Sequence, residues 1–154
     1  MLNVNSKKSI SVNWCDETGN EKQMICQLAY RCVDRNDTTR VSCISSNKPT
    51  FIIPAGYRGY EWYSMYGGRL LNIVGFIDNN VEKQGDMLLD KEIYSLEKAV
   101  QLSKLQRITV ILTSKYYHRE LLQLLEEYKD NMDILDGDRV LWVDSNGTLY
   151  YYRG

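Results

Sequence analysis

From residue 48 onward, short apolar runs alternate with amphipathic stretches. Thr50 to Ile53 predicts a short strand, PAGYRG a loop, and Tyr57 to Met65 a helix that Gly67 and Gly68 would end by accepting positive φ. Leu71 to Ile77 is apolar except at Asn72 and Gly75, the pattern of a strand buried on both faces of a sheet, and Asp78, Asn79 and Asn80 end it. A polar stretch through Gly85 leads to a helix near Ser95 to Ser103, where Ser95 can cap and Leu96, Ala99 and Val100 supply the apolar face. Ile108 to Leu112 is the next strand. Thr113 or Ser114 can cap the helix after it, whose Leu121, Leu122, Leu124 and Leu125 face inward. Arg139 to Val143 and Thr148 to Tyr152 are alternating strands around Asp144, Ser145, Asn146 and Gly147, a hairpin signal.

Strands that alternate with helices imply parallel strands joined by crossovers. The expected fold is therefore α/β, a doubly wound parallel sheet flanked by helices, with a C-terminal β-hairpin. Residues 1–47 read as an appended N-terminal segment and residues 48–154 as the main domain. Within the segment, Thr18 and Glu21 form a possible capping box, and Met24, Ile25, Leu28, Ala29, Cys32 and Val33 mark one helical face. The competing reading pairs Ile10, Val12 and Trp14 with Met24, Cys26 and Leu28 as a hairpin.

At 154 residues the chain suits one domain, and its net charge of −1 offers no surplus for nucleic-acid phosphates. No apolar run approaches the roughly 20 residues needed to cross a bilayer, and no secretory h-region is present, so a cytoplasmic protein is expected, with neither a nucleic acid nor a membrane as partner. Cys15, Cys26, Cys32 and Cys43 contain no C-x-x-C pair, so no metal site is expected and the thiols read as small buried groups. The aromatics are biased, with 12 Tyr against 3 Trp and 2 Phe. Tyr150, Tyr151 and Tyr152 fit an edge strand that pairs with another chain, and a homodimer or larger assembly is expected.

In a doubly wound sheet ligands gather outside the carboxyl ends of the strands, which here means loops 54–59, 78–85 and 113–118. Gly56 and Gly59 occupy the second and third glycine positions of a G-x-G-x-x-G fingerprint; Pro54 stands at the first and offers no backbone donor. Phosphate would sit on the amides opening the helix. Arg58 is the candidate phosphate cation, and Tyr57, beside the loop, the candidate for stacking on a base. Asp78, 19 positions after Gly59, stands where a dinucleotide-binding sheet places the carboxylate for a ribose diol; the plainer reading is a strand-ending Asp that starts an Asx turn with Asn79 and Asn80. Tyr94 and Lys98 have Y-x-x-x-K spacing, and His118 is the sole imidazole. Tyr94 with Lys98 is better read as a helix start, and His118 as a partly exposed residue opening a helix.

The stretch KPTFIIPAGYRGYEWYSMYGGRLLNIVGFIDNNVEKQG, continuing through EIYSLEKAV and RITVILTSKYYHRELLQLL, resembles the Rossmann-like, CoA-binding-like or NAD-binding-like domains of bacterial surface-polysaccharide biosynthesis proteins. The block IVGFIDNNVEKQG carries most of the likeness, which covers about residues 48 to 130. The resemblance implies a Rossmann-like domain that binds a nucleotide-type ligand, NAD(P) or a nucleotide sugar, through Gly56, Tyr57, Arg58, Gly59 and Asp78, without implying a reaction. The alternative is a non-catalytic interaction or regulatory module that retains the fold around an empty pocket.

Overall fold

The structure, a computed structural model, describes residues 41–153. Its strands are β1 (Val41–Ser45), β2 (Thr50–Ile53), β3 (Ile73–Ile77), β4 (Met87–Leu88), β5 (Lys91–Tyr94), β6 (Ile108–Leu112), β7 (Met132–Asp136), β8 (Val140–Val143) and β9 (Thr148–Tyr152). The α-helices are α1 (Tyr57–Tyr66), α2 (Leu96–Leu105) and α3 (His118–Leu125). Two compact units emerge, one of residues 46–138 and one that joins 41–45 to 139–153. Residues 139–153 thus group with β1 rather than with the larger sheet. The helix or hairpin expected before residue 35 lies outside the described residues, as do Cys15, Cys26 and Cys32, and Cys43 in β1 is exposed where a buried thiol was expected.

The 46–138 unit is α/β. Its six-stranded mixed sheet has the order β4-β5-β3-β2-β6-β7, in which β4, at one edge, is the antiparallel strand and the others run parallel. A strand without charged residues at alternate positions can be buried on both faces, and β2 and β6, whose only polar side chains are Thr50 and Thr109, are buried at every position. Helices flank the sheet. Phe51, Ile53, Val110 and Leu112 share a core with Ala99 and Val100 of α2 and Leu125 of α3. Ile52 points the other way by strand alternation, and a Cβ on Gly59 of α1 would stand 3.5 Å from it. Helix α1 therefore covers the face opposite to α2 and α3, and Tyr63 of α1 meets the fully buried Phe76 edge to face at 5.7 Å.

Two local features depart from expectation. Gly67 caps α1 in the right-handed helical region (φ −57°, ψ −37°), so positive φ is not what glycine supplies there. A Cβ at Gly67 would run into the Tyr63 ring, and the chain continues into a 3₁₀ turn over Gly67–Arg69. The polar stretch after Asp78 holds β4 and β5 as well as turns, so β3 reaches its parallel neighbour β5 without a helix. Leu89, between β4 and β5, takes φ 57°, a left-handed conformation that strains a side chain with a Cβ. The expected Ser95 cap is present, its hydroxyl accepting from the Lys98 amide at 3.2 Å.

In the other unit β1, β9 and β8 form an antiparallel sheet in the order β1-β9-β8, so the strand of Tyr150, Tyr151 and Tyr152 is paired on both sides and is not the edge strand expected. Its fixed point is Asp144, 1% exposed, which accepts from the amides of Asn146 and Thr148 at 2.8 and 3.0 Å and from the buried Tyr150 hydroxyl at 2.9 Å. A bond from a neutral hydroxyl to a buried carboxylate is among the stronger kinds. Tyr150→Phe keeps the ring and removes that bond, and we expect a loss of about 1–2 kcal/mol, read as a lower urea midpoint at unchanged slope.

Candidate functional site

The carboxyl ends of β2, β3 and β6 bring loops 54–59, 78–86 and 113–117 to one edge of the sheet. Ile53 and Leu112 are register partners, and the Thr113 amide donates to the Ile53 carbonyl at 2.9 Å, so the first and third loops leave from adjoining points.

The two glycines of the first loop do different things. Gly56 is the N-cap of α1 with extended backbone (φ −126°, ψ −166°); no side chain bonds the free amides of that first turn, and it contains no acidic residue. The positive end of the helix is open. A Cβ on Gly56 would meet nothing within 4 Å, so its missing side chain keeps space clear in front of those amides. A Cβ on Gly59 would stand 2.5 Å from the Pro54 carbonyl oxygen and 3.4 Å from Thr113 Oγ1. Gly59 lets α1 lie close on its own entry turn, the packing function of a third glycine.

Asp78 is 9% exposed and its carboxylate is engaged. Oδ1 accepts from the Asn80 amide at 2.9 Å, which is the Asx turn that the sequence suggests, and Oδ2 accepts from the Ala55 amide at 3.0 Å. Lys83 Nζ stands 3.7 Å from Oδ2 and donates to the Ala55 carbonyl at 2.9 Å. The second loop therefore grips both polar groups of Ala55, the residue preceding the N-cap, and Gln84 Nε2 ties off the Asp78 carbonyl at 2.9 Å. Sequence reasoning gave Lys83 and Gln84 no role. The available signal was the basic residue inside the IVGFIDNNVEKQG block, five positions after a strand-ending carboxylate.

Tyr57 and Arg58 point outward. Tyr57 is 73% exposed and lies parallel to Tyr60, ring centroids 6.4 Å apart, while a hydrogen bond with Glu61 raises its phenol above the ordinary value. The rest of the aromatic helix turns inward. Trp62 and Tyr66 are buried, and Trp62 Nε1 donates to the Gly137 carbonyl at 3.1 Å. The Tyr63 hydroxyl donates to Asp90 at 2.8 Å, and burial together with that carboxylate pushes the phenol up to about 12.

The two catalytic candidates fare differently. Tyr94 ends β5 whereas Lys98 lies in α2, so the pair does not occupy successive turns of one helix. Burial and the Glu92 carboxylate raise the Tyr94 phenol, the reverse of what a lysine-activated tyrosine needs. His118 opens α3, half-buried, its Nε2 3.9 Å from Asp136 Oδ2 at the end of β7. Lys115, Tyr116, His118, Arg119 and Glu120 line a hollow beside it. No family model, curated protein or solved structure matches the chain.

Proposed function

We propose that the 46–138 unit is a Rossmann-like domain that binds a nucleotide or nucleotide sugar at the carboxyl edge of its sheet, in a surface-glycan biosynthesis setting. One observation carries the reading: the open, uncapped N-terminus of α1 lies where the strand order reverses. Taken by their position in the chain, the parallel strands β5, β3, β2, β6 and β7 run 3-2-1-4-5, the order of doubly wound dinucleotide-binding sheets. The connection that leaves β2 runs to β3 and the one that leaves β6 runs to β7, in opposite directions, and it is at such a point, here beside Gly56, that doubly wound sheets open a crevice. The free amides and helix dipole there favour a phosphate, with the exposed Arg58 as its cation. Asp78 has the part of holding the loop, its carboxylate already engaged by Ala55, Asn80 and Lys83. The glycan setting rests on the IVGFIDNNVEKQG block alone.

The engaged Asp78 favours a second reading, a non-catalytic interaction module with an unfilled pocket. Melting with NAD(P), UDP-sugars, CoA and ATP separates the two, since a ligand at 100 times its Kd stabilises by about 2.7 kcal/mol. Under the first reading one of the panel raises Tm. Gly56→Ala abolishes that rise while changing the free protein's stability by less than about 0.5 kcal/mol, because its Cβ meets only open space. Gly59→Ala instead lowers the stability of the free protein by about 1–2 kcal/mol, because the obstructing atom is backbone. No rise with any of the panel ends the nucleotide reading.

A further inference from the structure

Every exposed aromatic ring among the described residues lies at the same edge of the sheet. Tyr57 (73% exposed) and Tyr60 (42%) open α1, and Tyr116 (92%) and Tyr117 (64%) precede α3. A folded chain that seats Trp62, Tyr66, Phe51, Phe76 and Tyr150 in its cores leaves these four rings in water. They flank the point where β2 and β6 adjoin. Exposed aliphatic side chains such as Met65, Leu71, Met87 and Leu105 belong to other segments.

The charges around the second pair are mostly of one sign. Lys115 and Arg119 are exposed and His118 is half-exposed; with Tyr116 and Glu120 they line a hollow of about 400 Å³. The titratable groups of opposite sign are Glu120 on α3 itself and Asp136, which faces His118 from β7 at 3.9 Å. In a protein of net charge −1 this is a local cationic patch with aromatic walls. Such a set of groups suits a sugar ring that carries an acid group. A tyrosine face packs on the apolar face of a pyranose ring, two cations pair with a carboxylate or phosphate on that ring, and a lone carboxylate accepts its hydroxyls.

We propose that the hollow beside Tyr116 binds an anionic sugar ring, with Lys115 and Arg119 pairing with the acid group, Tyr116 stacking on the ring and Glu120 accepting from hydroxyls. The proposal rests on the nucleotide reading only as far as the sugar is taken to be the head of a nucleotide sugar; a free sugar acid presents the same ring and charge.

Calorimetric titration of the full chain tests it with trigalacturonate against maltotriose, and with UDP-glucuronate against UDP-glucose. The expected result is binding of trigalacturonate with no heat from maltotriose, weakened by about tenfold or more in both Tyr116→Ala and the Lys115→Met, Arg119→Met double variant. These side chains are exposed, so Tm of the variants stays with the parent. Preference for UDP-glucuronate over UDP-glucose, lost in the double variant, identifies the nucleotide sugar as the source. Binding of UDP-glucose that depends on Gly56 and is indifferent to Lys115, Tyr116 and Arg119, with no response to trigalacturonate, overturns the sugar-acid proposal and leaves the nucleotide reading standing. Binding of trigalacturonate that depends on Lys115, Tyr116 and Arg119, with no response to UDP, UDP-glucose or the other nucleotides, does the reverse. A change of oligomeric state in the variants, measured by sedimentation and unaccompanied by any sugar binding, overturns the proposal in favour of a second copy on this edge.

Discussion

Asp78→Ala is expected to destabilise the 46–138 unit by about 2–4 kcal/mol. The alanine leaves the buried Ala55 amide without its carboxylate, and it releases the Asn80 amide, two bonds of the charge-assisted kind. Lys83 adds little, since its side chain is 43% exposed and its separation from Asp78 is 3.7 Å. Asp78→Asn keeps an acceptor and is expected to recover about half the loss. Urea unfolding followed by circular dichroism measures both. The same change carries a functional signature. If the carboxylate acts by fixing Ala55 in front of the α1 N-terminus, its removal weakens inorganic pyrophosphate as much as UDP, because the phosphate subsite itself is displaced. A loss confined to ribose-bearing ligands at unchanged stability would mean that Asp78 touches the ligand and does not strap the loop.

The contrast between Asp78 and the strand before it marks how far the sequence was legible. The central strands β2 and β6 were readable to the residue because neighbours on both sides and helices on both faces demand runs that are apolar but for one small threonine each, TFII and ITVIL. Strands nearer the edges were not. In β5, KEIY, Ile93 is the one buried residue, and in β7, MDILD, Met132 and Leu135 are buried among half-covered positions, so neither shows a run or a clean alternation. The start of β3 was misjudged for a related reason. Leu71 is exposed and its amide is taken by the Ser46 hydroxyl, so the strand begins at Ile73. At the site, the loop that opens α1 was legible from its glycines. The occupancy of Asp78 was not, because its partner is a backbone amide 23 residues away, brought near only by the adjacency of β2 and β3. Backbone partners have no residue type to betray them. The splitting of the aromatic helix was equally hidden, since a three-residue tyrosine repeat winds around a helix and does not say which members a sheet covers.

Gly75→Ala tests the interior of that sheet, with an expected loss of about 3 kcal/mol despite the addition of one methyl group. The strand β3 lies between β2 and β5, pairing Gly75 with Phe51 on one side and Glu92 on the other. A Cβ there would stand close to the Glu92 carbonyl oxygen and 2.8 Å from the Tyr94 ring, and the first of these is backbone, which cannot rotate away. Tyr94 is held on one side as well, because its ring packs edge to face on Phe51 at 5.6 Å. Relief therefore requires β5 to move off β3, weakening the parallel ladder from Glu92 to Tyr94 and carrying β4 with it. Overpacking of this kind costs about 1–3 kcal/mol and more where backbone must shift, against a gain of about 0.5–1 kcal/mol from alanine's smaller conformational entropy in the unfolded chain. The loss should appear as a lowered melting temperature together with faster amide exchange in residues 91–94, while amides of β6 keep their protection relative to the new global stability. Gly68→Ala supplies the control, because a Cβ there meets nothing within 4 Å, and it should melt with the parent. Equal melting of the Gly75 and Gly68 variants would mean that β5 yields to the methyl group at no cost, and that the close approach of β3 and β5 contributes nothing to the order of the sheet.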